Sequence, residues 1–243
     1  MGVNKFTNLE YCNVNGRSLV LDIYVPQLAG EKPPLVIYLH GGEWEIGSNN
    51  GYEEVYSVSR PLIENGYAVA IIDYRLYNEA EFPAQIEDSK AAVRWLRANG
   101  ENYGFNPEKI GVWGRSIGGH LASLLGTAGD FRGFDLGEYL EYSSKVQAVC
   151  DFYGMRDSLE ITEANPINYI SLEVPPFLMV HGEADIEVPL LQSELLYNAL
   201  KKFTNQVELY ILEGEGHGFD IINQEFHQDV YKQVIDFFNN YLR

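Results

Sequence analysis

From residue 35 onward, short aliphatic runs alternate with longer stretches whose apolar residues recur at helical spacing. That alternation constrains the fold of this 243-residue chain more than any other feature. Leu35–Leu39 and Ala68–Ile72 are continuous apolar runs rich in Val and Ile, the pattern of strands covered on both faces of a parallel sheet. Ile110–Trp113, Val146–Cys150, Phe177–Val180 and Val207–Leu212 extend the series. Between them, Pro83 opens a helix with Ile86, Val93 and Leu96 on one stripe and Gly100 as its stop. A second helix spans Pro189 to Phe203, with Leu196, Leu200 and Phe203 on one face. A third runs from about Ile222 to Leu242 through Phe226, Val230, Val234, Phe237 and Tyr241. Leu19–Val25 instead alternates apolar and polar residues, and with a strand starting near residue 9 it can form an antiparallel edge. No linker rich in Pro, Gly or Ser divides the chain. The expectation is one α/β domain over residues 1–243 with a mostly parallel sheet, its ligands beyond the C-terminal strand ends.

Charge narrows the partners. Lys plus Arg number 17 against 35 Asp plus Glu, a net −18. Nucleic acid and anionic membrane surfaces need a basic face, so neither is an expected partner. Oligomeric state stays open. Cys12 and Cys150 lack any C-x-x-C spacing and read as packed thiols. The first residues hold no secretory leader and no stretch is apolar enough to span a membrane. The chain as given reads as soluble and cytoplasmic, with a secreted mature form as the alternative.

The sharpest chemical motif is Gly114-Arg115-Ser116-Ile117-Gly118, directly after the strand Ile110–Trp113 and before an apolar helix through His120 to Leu125. A strand-to-helix turn this tight strains its central residue, and glycines two positions either side leave room for it. It lifts the serine oxygen to a helix N-terminus, where the next N–H points at a developing oxyanion. A nucleophilic Ser needs a base, and the base an orienting carboxylate. Five histidines compete. His40 and His181 end strands, His120 lies on the helix after Ser116, and His227 falls inside the last amphipathic helix. His217 sits in the loop Gly214-Glu215-Gly216-His217-Gly218-Phe219, flanked by glycines at a strand end. It is the expected base. Asp185 is the expected carboxylate, with Glu183 and Glu187 as alternatives. The order Ser116, Asp185, His217 is that of an α/β-hydrolase. His40-Gly41-Gly42-Glu43-Trp44 supplies a Gly-Gly turn whose amides can approach a substrate oxygen. Asp73, Arg75 and Asp88 read as a polar network bracing the sheet. Trp44, Tyr77, Phe82 and Phe219 could line a pocket or fill core and rim equally well. Histidine spacing shows no metal motif, and neither metal nor organic cofactor is expected.

On these stretches, together with Leu21-Asp22-Ile23-Tyr24, Asp73-Tyr74-Arg75-Leu76 and His181-Gly182-Glu183-Ala184-Asp185, the chain resembles the serine esterases of the α/β-hydrolase superfamily. It is most similar to the esterase/lipase group that holds the acetyl-xylan and feruloyl esterases, and is related to hormone-sensitive-lipase-like esterases and kynurenine formamidases. The resemblance implies the α/β-hydrolase fold with a sheet of about eight strands; the room for a minimal lid is residues 153–176, with the polar stretch 130–144. The resemblance also implies Ser116 as nucleophile, His217 as base then acid, and Asp185 as orienter. It assigns oxyanion donors to the amides of Ile117, Gly42 and Glu43; Trp44 and Phe219, in loops beside the expected site, are the substrate-binding candidates. Relatives often carry Ala after the nucleophile and Gly or an aromatic after the Gly pair; Ile117 and Glu43 depart from that and would reshape the acyl pocket.

The expected activity is hydrolysis of short-acyl or hydroxycinnamoyl esters, acetyl or feruloyl esters of plant-polysaccharide sugars among them, and the expected partner is a small-molecule or saccharide-linked ester. The alternatives are an amidase of the N-formylkynurenine type and a non-catalytic hydrolase-fold binding protein. Glu43, Glu45, Glu183, Glu187, Glu213 and Glu215 fall in loops beside the expected site and would disfavour anionic substrates.

Overall fold

The computed structural model describes residues 2–41, 60–76, 78–155, 161–222 and 228–243. Eight strands form one sheet: β1 (Val3–Val14), β2 (Arg17–Pro26), β3 (Pro34–Leu39), β4 (Ala68–Ile72), β5 (Asn106–Arg115), β6 (Ala148–Phe152), β7 (Phe177–Gly182) and β8 (Val207–Leu212). Their spatial order is β1-β2-β4-β3-β5-β6-β7-β8. β1 and β2 pair antiparallel, as do β2 and β4. Every other pairing, from β4 through β3 to β8, is parallel. The β1–β2 hairpin turns on Asn15 and Gly16, both at positive φ (52° and 87°), as a tight two-residue turn that matches strand twist requires.

Helices cover both faces. On one lie α1 (Ala84–Tyr103), α2 (Ile117–Thr127) and α3 (Leu191–Leu200), which bury Ile86, Leu121 and Leu196 in one core with Ile37 and Val112. On the other, α5 (Gln228–Leu242), which follows the short α4 (Phe219–Ile222), buries Val230, Val234 and Phe238 against Trp113 and Cys150. Buried side chains of this size each contribute about 1.5–3 kcal/mol. Gly111 makes the second layer close: a Cβ there would lie 2.8 Å from the Phe238 ring. Cys12 and Cys150 are both buried free thiols. Among the described residues no helix is long and apolar enough to cross a membrane.

Three boundaries differ from expectation. Gly100 does not stop α1; the helix continues to Tyr103 and ends at Gly104, whose φ of 87° and N–H to the Gly100 carbonyl close it. Gly100 serves packing instead, since a Cβ would meet the Phe105 ring at 2.6 Å. α3 ends at Leu200, where tight turn bonds from Phe203 N–H (2.9 Å) and Thr204 N–H (3.0 Å) converge on its carbonyl. That turn rotates Phe203 off the apolar stripe, and it is 43% exposed. β6 lies two residues past the expected run, because Gln147 N–H is already paired to the Ile110 carbonyl and Val149 starts the pairing with β7. Within the expected lid, Pro166–Tyr169 pack against α2, and buried Ala164 accepts a hydrogen bond from His120 Nε2 at 2.7 Å.

Candidate active site

Only Ser116 separates β5 from α2, and its φ of 54° and ψ of −120° take the chain through that turn. Such backbone costs a non-glycine residue about 1–3 kcal/mol and persists only when its surroundings fix it. They do. A Cβ on Gly114 would lie 2.0 Å from the Gly118 carbonyl oxygen, and one on Gly118 would lie 2.1 Å from the Leu39 carbonyl oxygen. Both obstacles are main chain, so no side chain fits at either place. The Ser116 N–H is tied to the Phe152 carbonyl at 2.9 Å. Ser116 therefore sits at the C-terminal edge of the sheet and the N-terminus of an 11-residue helix.

The β7 and β8 exit loops bring up the partners. His217 Nε2 lies 3.1 Å from Ser116 Oγ, and Nδ1 lies 2.7 Å from Asp185 Oδ2. The other Asp185 oxygen accepts the N–H groups of Glu187 (3.0 Å) and Val188 (2.8 Å). The Asp185 side chain is fully enclosed while the imidazole keeps 16% of its surface. The two loops are bonded to each other through Ala184 N–H and the Glu215 carbonyl at 2.8 Å. Behind Asp185, buried His181 donates from Nε2 to the Val188 carbonyl, and its Nδ1 shares a hydrogen bond with the Ser193 hydroxyl, both at 2.8 Å.

The other histidines are occupied elsewhere. His40 stacks on Tyr74 with ring centres 4.8 Å apart and donates from Nδ1 to the Gly41 carbonyl. Burial lowers its pKa below the ordinary histidine value. His120 reaches the Ala164 carbonyl from α2. His227 lies outside the described residues.

On the oxyanion side, the Ile117 N–H belongs to the first turn of α2, where the helix offers no acceptor. Gly42, Glu43 and Trp44 lie outside the described residues, as do Glu45 and Tyr77. The preceding Gly41 runs against the nucleophile turn: a Cβ there would be 3.5 Å from Ser116 Cβ. Phe219 does not take the pocket position expected of it. As the first residue of α4 it points inward, is 2% exposed, and packs against Phe152 and Tyr153. Phe82 packs edge-on against Phe134 at 5.6 Å. Of the acidic loop residues, Glu183, Glu187 and Glu213 are exposed and Glu215 is half-buried. Among the described residues, no group of His, Cys, Asp and Glu is arranged to hold a metal ion.

Sequence reasoning missed a linked group of three residues, one of which stands against His217. Tyr153 follows β6 at a φ of 41°, and its ring lies 4.6 Å from the His217 ring at an interplanar angle of 62°. Its hydroxyl donates to Asp220, which sits within α4 and is also 3.7 Å from the guanidinium of Arg115. Burial, then the Asp220 charge, pushes the Tyr153 phenol well above its ordinary pKa. No local motif links these positions; the only hint was an Asp directly after Gly216-His217-Gly218-Phe219.

The strand order, with its antiparallel edge, and the one-residue turn between β5 and α2 define the class: this is an α/β-hydrolase. More narrowly, the chain belongs to the BD-FAE family, whose model matches residues 21–164 and 159–200. It is similar to the esterase LipQ of Mycobacterium tuberculosis, 30% identical over 91% of this chain and 59% of the relative. Its structure is similar to a truncated carbohydrate esterase from gut microbiota (TM-score 0.83, 29% identity, 98% of this chain and 95% of that one). It is also similar to Thermogutta terrifontis esterase 2 phosphoramylated by tabun (TM-score 0.85, 25% identity, 97% and 94%). The chain spans 59%, 58% and 50% of the lengths of three curated relatives it matches.

Proposed function

We propose that this chain is a serine carboxylic ester hydrolase that works through an acyl-enzyme on neutral short-acyl or hydroxycinnamoyl esters, including acetyl or feruloyl esters of sugars. The observation that carries the reading is the continuous relay from Ser116 Oγ through His217 to Asp185, at 3.1 Å and 2.7 Å. His217 Nε2 takes the Ser116 proton as Oγ attacks the ester carbonyl, and Asp185 stabilises the imidazolium that results. The Ile117 N–H, with amides of the loop holding Gly42 and Glu43, receives the charge on the carbonyl oxygen. His217 then returns its proton to the leaving alcohol. Water, deprotonated by the same ring, attacks the acyl-enzyme and regenerates Ser116.

The esterase names of the relatives support the reaction class, and the carbohydrate esterase supports a sugar-borne ester. Exposed Glu183, Glu187 and Glu213 favour uncharged substrates. The test is hydrolysis of p-nitrophenyl acetate by the wild type and Ser116→Ala. Activity should fall to the uncatalysed background in the variant; retained turnover overturns the assignment. A panel of acetylated xylo-oligosaccharides, feruloylated arabinose and N-formylkynurenine then ranks sugar esters against the amide, with the esters expected to turn over faster.

A further inference from the structure

We infer that Asp220 and Tyr153 form a buried buttress that positions His217, an inference that rests on the proposed role of His217 as base. Three separate chain segments meet at the Asp220 carboxylate. Arg115, the neighbour of Ser116, approaches from the end of β5 at 3.7 Å. Tyr153 donates its hydroxyl from the end of β6. Asp220 itself lies three residues past His217, in the segment that carries the base. The carboxylate is completely enclosed, Tyr153 is 1% exposed and Arg115 is 7% exposed. Tyr231 adds a fourth tie, its hydroxyl 3.4 Å from the Asp220 carbonyl.

The geometry gives this node a direction. The Tyr153 ring does not fill space at random: it stands 4.6 Å from the His217 ring and 6.5 Å from the His181 ring, between the base and the histidine behind Asp185. Its backbone is held at a φ of 41° and its N–H is bonded to the Val180 carbonyl at 2.8 Å. Loop histidines flanked by glycines have free backbone on both sides. Here Gly216 and Gly218 flank His217, and a rigid aromatic wall anchored by a buried hydroxyl supplies the constraint that the glycines do not. Asp185 fixes one ring nitrogen; Tyr153 fixes the plane. Arg115 couples the same node to the nucleophile turn, so Ser116 and His217 are referenced to one carboxylate.

Tyr153→Phe keeps the wall and loses the anchor, Tyr153→Leu keeps apolar bulk and loses the wall, and Asp220→Asn keeps the shape and loses the charge facing Arg115. With p-nitrophenyl acetate, Tyr153→Leu should lower kcat by about 10- to 100-fold with KM little changed, as small misplacements of a catalytic group do. Tyr153→Phe and Asp220→Asn should fall between it and the wild type. A second readout does not depend on turnover: the low-field proton resonance of His217 Nδ1–H on Asp185, identified by its loss in His217→Ala. It should be sharp in the wild type, retained in Tyr153→Phe, and broadened or lost in Tyr153→Leu while the chain still melts cooperatively. An equally sharp resonance in every buttress variant overturns the inference. So does a variant whose loss lies in KM alone. A sharp wild-type resonance in a chain that hydrolyses no ester would sink the proposed function and leave this positioning role standing.

Discussion

Asp185→Asn separates the chemical role of this carboxylate from its structural one. The two oxygens of Asp185 face different partners: Oδ1 accepts two backbone N–H groups at 3.0 Å and 2.8 Å, and Oδ2 faces His217 Nδ1 at 2.7 Å. An asparagine must place its single oxygen on one side. Turning its NH2 toward the Glu187 and Val188 amides would leave buried donors facing donors, at about 1–3 kcal/mol for each group left unsatisfied. The oxygen therefore stays with the backbone and the NH2 turns to His217. Nδ1 must then accept, which moves the ring proton to Nε2, the nitrogen that should take the Ser116 proton. The expected loss in kcat is about 10⁴-fold, the size seen when a base is trapped in the wrong tautomer with its geometry intact. Stability should hardly change. Asp185→Ala should do the opposite for the fold: it strips both backbone amides of their acceptor, at about 2–6 kcal/mol together, and lowers Tm by about 4–24 °C in a chain of this size. Steady-state kinetics on p-nitrophenyl acetate and a thermal melt read both effects. An Asn variant that keeps more than about a tenth of wild-type kcat refutes the reasoning, since a trapped tautomer cannot be that active.

Other expectations follow from separate features. Gly118→Ala should cost about 1–3 kcal/mol or more and abolish ester turnover, because its Cβ would meet the Leu39 carbonyl oxygen at 2.1 Å; a variant with unchanged Tm counts against that fit. Burial pushes the Tyr67 phenol up to about 12. Its stabilising contribution is then complete below about pH 10 and lost as pH rises toward about 12, so Tyr67→Phe should flatten the alkaline limb of a Tm–pH curve. Burial raises the Cys150 thiol far above its ordinary value, and Ellman's reagent at pH 8 should leave it unmodified until the chain is denatured. At low salt a carboxylate-bearing ester should be hydrolysed more slowly than its neutral analogue, with the gap closing at high salt; equal rates would show that Glu183, Glu187 and Glu213 do not reach the substrate.

Much of the sheet was legible because its central strands are buried on both faces. Leu35–Leu39 and Ala68–Ile72 are almost uninterrupted apolar runs, and both became strands with little change at their ends. β1 was harder, since only Tyr11 and Cys12 are buried along its 12 residues and the rest of the edge strand carries little pattern. Helix ends were misread where glycine does two different jobs: Gly100 makes room for Phe105, and Gly104 turns the chain. The polar bracing network was anticipated in kind but not in pairing. Arg75 does grip Asp88 at 2.7 Å, whereas Asp73 pairs with Arg17 at 2.9 Å, a partner 56 positions away on β2. At the candidate site, Ser116, Asp185 and His217 each announced themselves by local turn chemistry, and the structure brings all three together. Tyr153 and Asp220 did not, because their significance lies wholly in contact between distant segments.

The two close approaches around Ser116 are peptide against peptide. Gly114 abuts the backbone of Gly118, and Gly118 abuts the backbone of Leu39. The turn that carries Ser116 is thus set by main chain against main chain before any side chain around it is counted. Substrate choice is separable from that placement. Ile117, which presents its amide whatever its side chain, can be changed without moving the serine. On the proposed function, new acyl preferences would be reachable by substitutions around a fixed Ser116.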